Sequence, residues 1–160
     1  MQRGRLKNVI VYKIMKVEYN NLYTHFVFVT YLRNHLIKEE NRERIEKYIT
    51  GIVNNNNCQM YAIYANPDHV HFLISRSPTI AEETIATIIS NSSAKFINDN
   101  KLCAGVFEWQ QSCSAFTVSK GHIDKVCKYI LNQPEHHKKK TFQEEYDEFM
   151  HFYQKTLKSK

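Results

Sequence analysis

The chain has 160 residues, 42% hydrophobic and 24% charged, the composition of one globular domain with room for a real core. Its 22 Lys and Arg against 16 Asp and Glu leave a net charge of +6, which favours an anionic partner such as nucleic acid without establishing one. Cys58, Cys103, Cys113 and Cys127 have no CxxC spacing, and no apolar run approaches membrane-span length. A zinc ribbon, a disulfide framework and a membrane partner are therefore not expected, and a reduced, cytoplasmic setting is.

Taken in chain order, residues 1–21 read as a basic N-terminal extension. Arg3, Arg5, Lys7 and Lys13 surround Val9-Ile10-Val11, a pattern too short and broken for a signal peptide, and Met15 is an alternative start. Residues 22–160 read as a single domain. Leu22 to Thr30 is rich in aromatic and β-branched residues and predicts a strand. Glu39 to Val53 places Ile45, Tyr48, Ile49 and Ile52 at helical spacing. Gln59 to Asn66 predicts a second strand, and Asn66-Pro67-Asp68 is a turn signal leading into a third, His69 to about Ser75. Ser77-Pro78-Thr79 opens a helix in which Thr79 and Glu82 form a capping-box pattern, with Ile85, Ile88, Ile89 and Phe96 as its apolar stripe. Val106 to Trp109 and Ala115 to Val118 are short strand candidates. A helix from about His122 to Gln133, the basic run Lys138 to Lys140 and an amphipathic helix from Phe142 to Phe152 complete the chain. The order predicts an α+β fold, a ferredoxin-like (RRM-like) antiparallel sheet with helices on one face plus C-terminal helices.

Two features carry chemistry. His69 and His71 are two apart on a strand, so both imidazoles share one face. By itself such a pair is weak evidence, since a strand histidine is more often a plain polar residue. On the following helix, His122, Lys125, Tyr129 and Gln133 form one polar stripe, opposite Ile123, Val126, Cys127 and Ile130. A tyrosine there could attack as a nucleophile, and a glutamine oxygen could join two imidazoles as a third ligand. Two nitrogens and one oxygen with open positions suit Mg²⁺ or Mn²⁺ better than a closed zinc site.

At these residues the chain resembles a known family, the IS200/IS605-like transposases, HUH endonucleases of single-stranded DNA with one catalytic tyrosine. The resemblance rests on Asn66 to Ile74, Phe107-Glu108-Trp109-Gln110, Ala115 to Ser119, Tyr129 to Gln133, Glu135 to Lys140 and Thr141 to Tyr146. It implies that His69, His71 and Gln133 hold a divalent metal, Mg²⁺ or Mn²⁺, and that Tyr129 is the nucleophile. It also implies cleavage and rejoining of single-stranded DNA at hairpin-containing element ends through a 5′-phosphotyrosine, and a homodimer whose active sites can be shared between subunits. The sequence departs from the family pattern at Tyr31 and Asn91, where lysine is usual, at Gln111 to Ser114, which replaces a Gly-Tyr-Gly-like segment, and at Pro134.

Candidate DNA contacts are His25, Arg33, Lys95, Lys125, His136, His137, Lys138 and Lys139, each set against the plainer reading of a surface charge or, for His25, which lies on the first strand beside the histidine strand, a contact behind the histidine pair or a core histidine. Burial is the favoured reading of Trp109, with base stacking second. Two rivals remain: a domesticated relative that processes repetitive hairpin DNA, and a noncatalytic nucleic-acid-binding module. An RNP-like aromatic pattern, which the latter would need, is missing.

Overall fold

The computed structural model describes residues 13–148 and 151. Its centre is an antiparallel sheet of β1 (Tyr23–Val29), β2 (Gln59–Ala65), β3 (His69–Ser75) and β4 (Ser114–Val118), in the spatial order β2-β3-β1-β4. Helix α1 (Glu39–Asn55) links β1 to β2, and α2 (Glu82–Asp99) links β3 to β4. This is the ferredoxin-like arrangement and the α+β class that the sequence predicts. Helices α3 (Ile123–Leu131), α4 (Gln133–His137) and α5 (residues 142–148) follow. Of the expected last helix, Phe149, Phe152 and Tyr153 lie outside the described residues.

The central strands are buried on both faces because each strand interleaves two sets of side chains. Val70, Phe72 and Ile74 of β3, with Phe26 and Phe28 of β1, face α1 and α2 and pack on Ile45, Ile49, Ile85, Ile89 and Ile97. Leu73, with Tyr23, Ala62 and Val118, points the other way and packs on Ile123, Val126, Cys127 and Ile130 of α3. Alternation puts His69 and His71 on this second face. Toward the start of β3 the α3 face therefore changes from aliphatic to imidazole.

Two local expectations give way. Val106 to Trp109 forms no strand, only one bridge between Trp109 and Thr30. The reason is local: the Asn98 side chain donates to Phe107 O at 2.9 Å and accepts from Phe107 N at 2.7 Å, occupying the groups a ladder would use. The capping box at Thr79 is also not formed. Helix α2 starts at Glu82 after Ala81, and the Glu82 carboxylate pairs instead with Arg76 at 2.8 Å.

Trp109 is buried as expected, edge-on to Phe28 and Phe107, and its indole Nε1 donates to Ser93 Oγ at 2.9 Å. Ser93→Ala should leave that buried N–H without an acceptor and cost about 1–3 kcal/mol, read from urea unfolding followed by the fluorescence of this single tryptophan. The four cysteines are free, and no helix among the described residues is long and apolar enough to cross a membrane.

Candidate metal and nucleophile site

The histidine strand is delivered by the turn Asn66-Pro67-Asp68. Fully buried Thr30 clamps it, donating from both its N–H and its Oγ1 to the Asp68 carbonyl at 2.9 Å. Asn66 N donates to His69 O at 2.8 Å and closes the hairpin.

His69 is fully buried, and its Nδ1 lies 2.6 Å from Asp68 Oδ1. That contact places the ring proton on Nδ1 and turns the Nε2 lone pair inward. Burial alone would raise the Asp68 carboxyl, but the hydrogen bond from His69 helps outweigh it and hold it below the usual carboxylate range. The Asn66 amide Nδ2 donates both to His69 Nε2, at 3.0 Å, and to Gln133 Oε1, at 3.2 Å. Two lone pairs that share one donor converge on one region of space.

His71 is equally buried. Its Nδ1 lies 3.0 Å from His25 Nε2, while its Nε2 has no hydrogen-bond partner among the described residues. Burial, aided by the neighbouring histidines, pushes His71 well below the usual imidazole range, and burial takes His25 down to about 4. Both rings are neutral at ordinary pH. With the shared proton on His71 Nδ1, Nε2 is a buried lone pair that no donor among the described residues meets. His25 is 2% exposed, and its side chain meets His71 rather than solvent.

Tyr129 sits on α3 with its ring centroid 5.8 Å from that of His71, 6.2 Å from His25 and 5.1 Å from His136. Gln133 is not on the same helix. Helix α3 ends at Leu131, Asn132 leaves helical geometry, and Gln133 starts α4 with Pro134 in its first turn, where the missing N–H costs nothing. The single stripe expected from His122 to Gln133 is thus broken, yet the break turns Gln133 fully inward. Its Oε1 accepts from Asn66 and, at 2.9 Å, from His137 Nε2, and its Nε2 donates to Glu145 Oε1 at 3.1 Å.

Sequence reasoning did not single out Glu145. It lies on α5, is 8% exposed, and is pushed up to about 7 by burial and by Glu148. His69, His71 and Glu145 each offer a ligand atom within 4.8 Å of the others, a group that could hold a metal ion. The signal was present: Glu145 lies three residues after Phe142, on the apolar stripe of its helix, where an acid is out of place. Phe142 covers the site, its ring 4.1 Å from that of His69, and Arg33 lies over its outer side at 4.9 Å.

The remaining cationic candidates are dispersed. Lys125 and His136 are exposed near Tyr129, on α3 and α4. His137 is half-buried in the site, whereas Lys138 and Lys139 are exposed just after it, Lys138 paired with Glu135 at 2.7 Å. Lys95 lies on α2, across the sheet from the histidines, and pairs with Asp99 at 2.6 Å.

An imidazole pair on a ferredoxin-like sheet is thus faced by the helix that carries Tyr129. The family model described as "Transposase IS200 like" matches residues 18–133, and the chain belongs to that family. Among solved structures it is similar to a candidate transposase from Deinococcus radiodurans R1. That match is 21% identical with a TM-score of 0.59 and covers 76% of this chain and 98% of that one. It is also similar to a REP-associated tyrosine transposase bound to a REP hairpin, 12% identical with a TM-score of 0.57, covering 79% of this chain and 74% of that one. At these identities the structures speak for the fold alone. No curated protein matches the sequence.

Proposed function

We propose that this transposase cleaves and rejoins single-stranded DNA at hairpin-containing ends through a 5′-phosphotyrosine on Tyr129. The observation that carries the reading is the meeting of the Tyr129 ring with His71, whose buried Nε2 has no hydrogen-bond partner among the described residues. His69 and His71 would hold a divalent cation, Mg²⁺ or Mn²⁺, with Gln133 Oε1, which shares the Asn66 amide with His69 Nε2, completing the set. When bound, the ion would supply charge to the scissile phosphate and fix its orientation.

The protein's own part follows from its side chains. Tyr129 Oη attacks phosphorus and loses its proton, the new O–P bond forms, and the bond to the 3′ oxygen breaks to give a free 3′-OH. A second 3′-OH then attacks the phosphotyrosine, restores the phosphodiester and releases Tyr129, so no external energy source is needed. Asp68 and His25 act behind the imidazoles, holding His69 and His71 in the tautomers that aim lone pairs inward. Lys125, His136, Lys138 and Lys139 border this face and would meet the phosphate backbone, with His137 and Arg33 nearer the centre. The relative bound to a REP hairpin favours a hairpin substrate. The homodimer belongs to the same reading; within one chain Tyr129 already reaches its own histidines, so a partner could exchange α3 without changing the donor set.

The test is incubation with Mn²⁺ and labelled single-stranded hairpin oligonucleotides. A nick accompanied by a protein–DNA adduct that survives denaturation, both lost with EDTA, is the expected result; nicking that leaves no adduct would contradict it. Asp68→Asn should free the His69 ring and weaken Mn²⁺ binding about 10- to 100-fold, measured by calorimetric titration.

A further inference from the structure

We propose that Glu145, on the C-terminal helix of the same chain, is an additional protein ligand to the metal, so that this site combines two imidazoles with a carboxylate. The inference rests on the metal-site reading above and goes beyond it, because that reading takes its only oxygen ligand from Gln133.

Three independent observations converge on Glu145. The first is geometry: a carboxylate oxygen stands within 4.8 Å of ligand nitrogens on both His69 and His71. The second is charge balance. Glu145 is buried, yet among the described residues no lysine or arginine pairs with it; it receives one amide hydrogen bond from Gln133 and lies 3.7 Å from the His137 ring. A buried carboxylate so poorly compensated is costly, and a divalent cation would compensate it. The third is how firmly it is aimed. Helix α5 opens with a capping box in which Thr141 N donates to Glu144 Oε2 at 2.8 Å and Glu144 N donates to Thr141 Oγ1 at 3.3 Å. Phe142 packs on the His69 ring, and Glu145, one turn on, shares that inward face. Gln133 then has two tasks, its Oε1 turned to the histidines through Asn66 and its Nε2 holding the carboxylate. A hard cation prefers such an anionic oxygen.

The experiment is Mn²⁺ titration of the full chain, following the free-ion EPR signal, for the unsubstituted protein, His71→Ala, Glu145→Gln and Glu148→Gln. Glu145→Gln keeps the shape and the hydrogen bond from Gln133, and should weaken Mn²⁺ binding about tenfold or more, because loss of even an outer partner costs that much. Exposed Glu148, paired with Lys140, is the control and should leave affinity unchanged. In EDTA, Glu145→Gln should melt no lower than the unsubstituted chain, since it removes an uncompensated buried charge. A lower melting temperature would make Glu145 a structural ion partner and overturn the proposal. So would unaltered Mn²⁺ affinity in Glu145→Gln, or equal loss in Glu148→Gln; in those cases the metal site itself stands if His71→Ala loses the ion. If the unsubstituted chain binds no Mn²⁺, both readings fall.

Discussion

Tyr129→Phe should eliminate the covalent protein–DNA adduct and lower strand cleavage on the order of a thousandfold or more, because it deletes the attacking hydroxyl. The ring that remains still meets His25, His71 and His136, so the packing around it should be kept. Melting temperature and Mn²⁺ affinity should therefore match the unsubstituted chain, while labelled oligonucleotide on a denaturing gel stays free of protein. Loss of only the hydroxyl makes this the cleanest separation of chemistry from fold that the site offers. An adduct that persists in Tyr129→Phe would move the nucleophile to another residue.

His71→Ala should have an effect of similar size by a different route. It removes a buried ring nitrogen that has no hydrogen-bond partner among the described residues, and with it an expected metal ligand. The lost electrostatic stabilisation of several kcal/mol corresponds to on the order of a thousandfold in cleavage rate. Mn²⁺ binding should fall in parallel, and excess metal should recover part of the activity if the other ligands remain in place. The fold should weaken as well, because His25 Nε2 loses its contact in the interior, at a cost of about 1–3 kcal/mol. Far-UV circular dichroism on the same sample separates the two losses. Tight Mn²⁺ binding by His71→Ala would place the metal elsewhere.

The parts of this architecture that were legible in the sequence are those set by short periods. The two-residue repeat puts His69 and His71 on one face, and Asn66-Pro67-Asp68 marks the turn before them, because both signals are local. The helical repeat also finds α1 and α2. What depends on pairing between distant segments was only partly within reach. His25 was read as lying beside the histidine strand, but its contact with His71 follows from β1 lying against β3 with Val27 opposite His71, a register between segments that α1 and β2 separate. Gln133 was expected on the same stripe as Tyr129, whereas the helix breaks at Asn132 and the residue reaches the site from a new helix. Pro134, which the sequence marked as an obstacle to helical geometry, is accommodated by opening α4. Glu145 was passed over because a carboxylate on an amphipathic helix reads as a surface charge until its stripe is seen to face the histidines. Val106 to Trp109 failed as a strand for a similar reason: Asn98, nine residues earlier, takes the backbone of Phe107.

The central claim is that Tyr129 becomes covalently joined to DNA at the histidine site. Its most direct test is digestion of the adduct formed with Mn²⁺ and a single-stranded hairpin oligonucleotide, followed by mass spectrometry of the nucleotide-bearing peptide. The account predicts that the added nucleotide mass falls on Tyr129, with phosphate linked through the DNA 5′ end; the same mass on another side chain, or a linkage through the 3′ end, would contradict it.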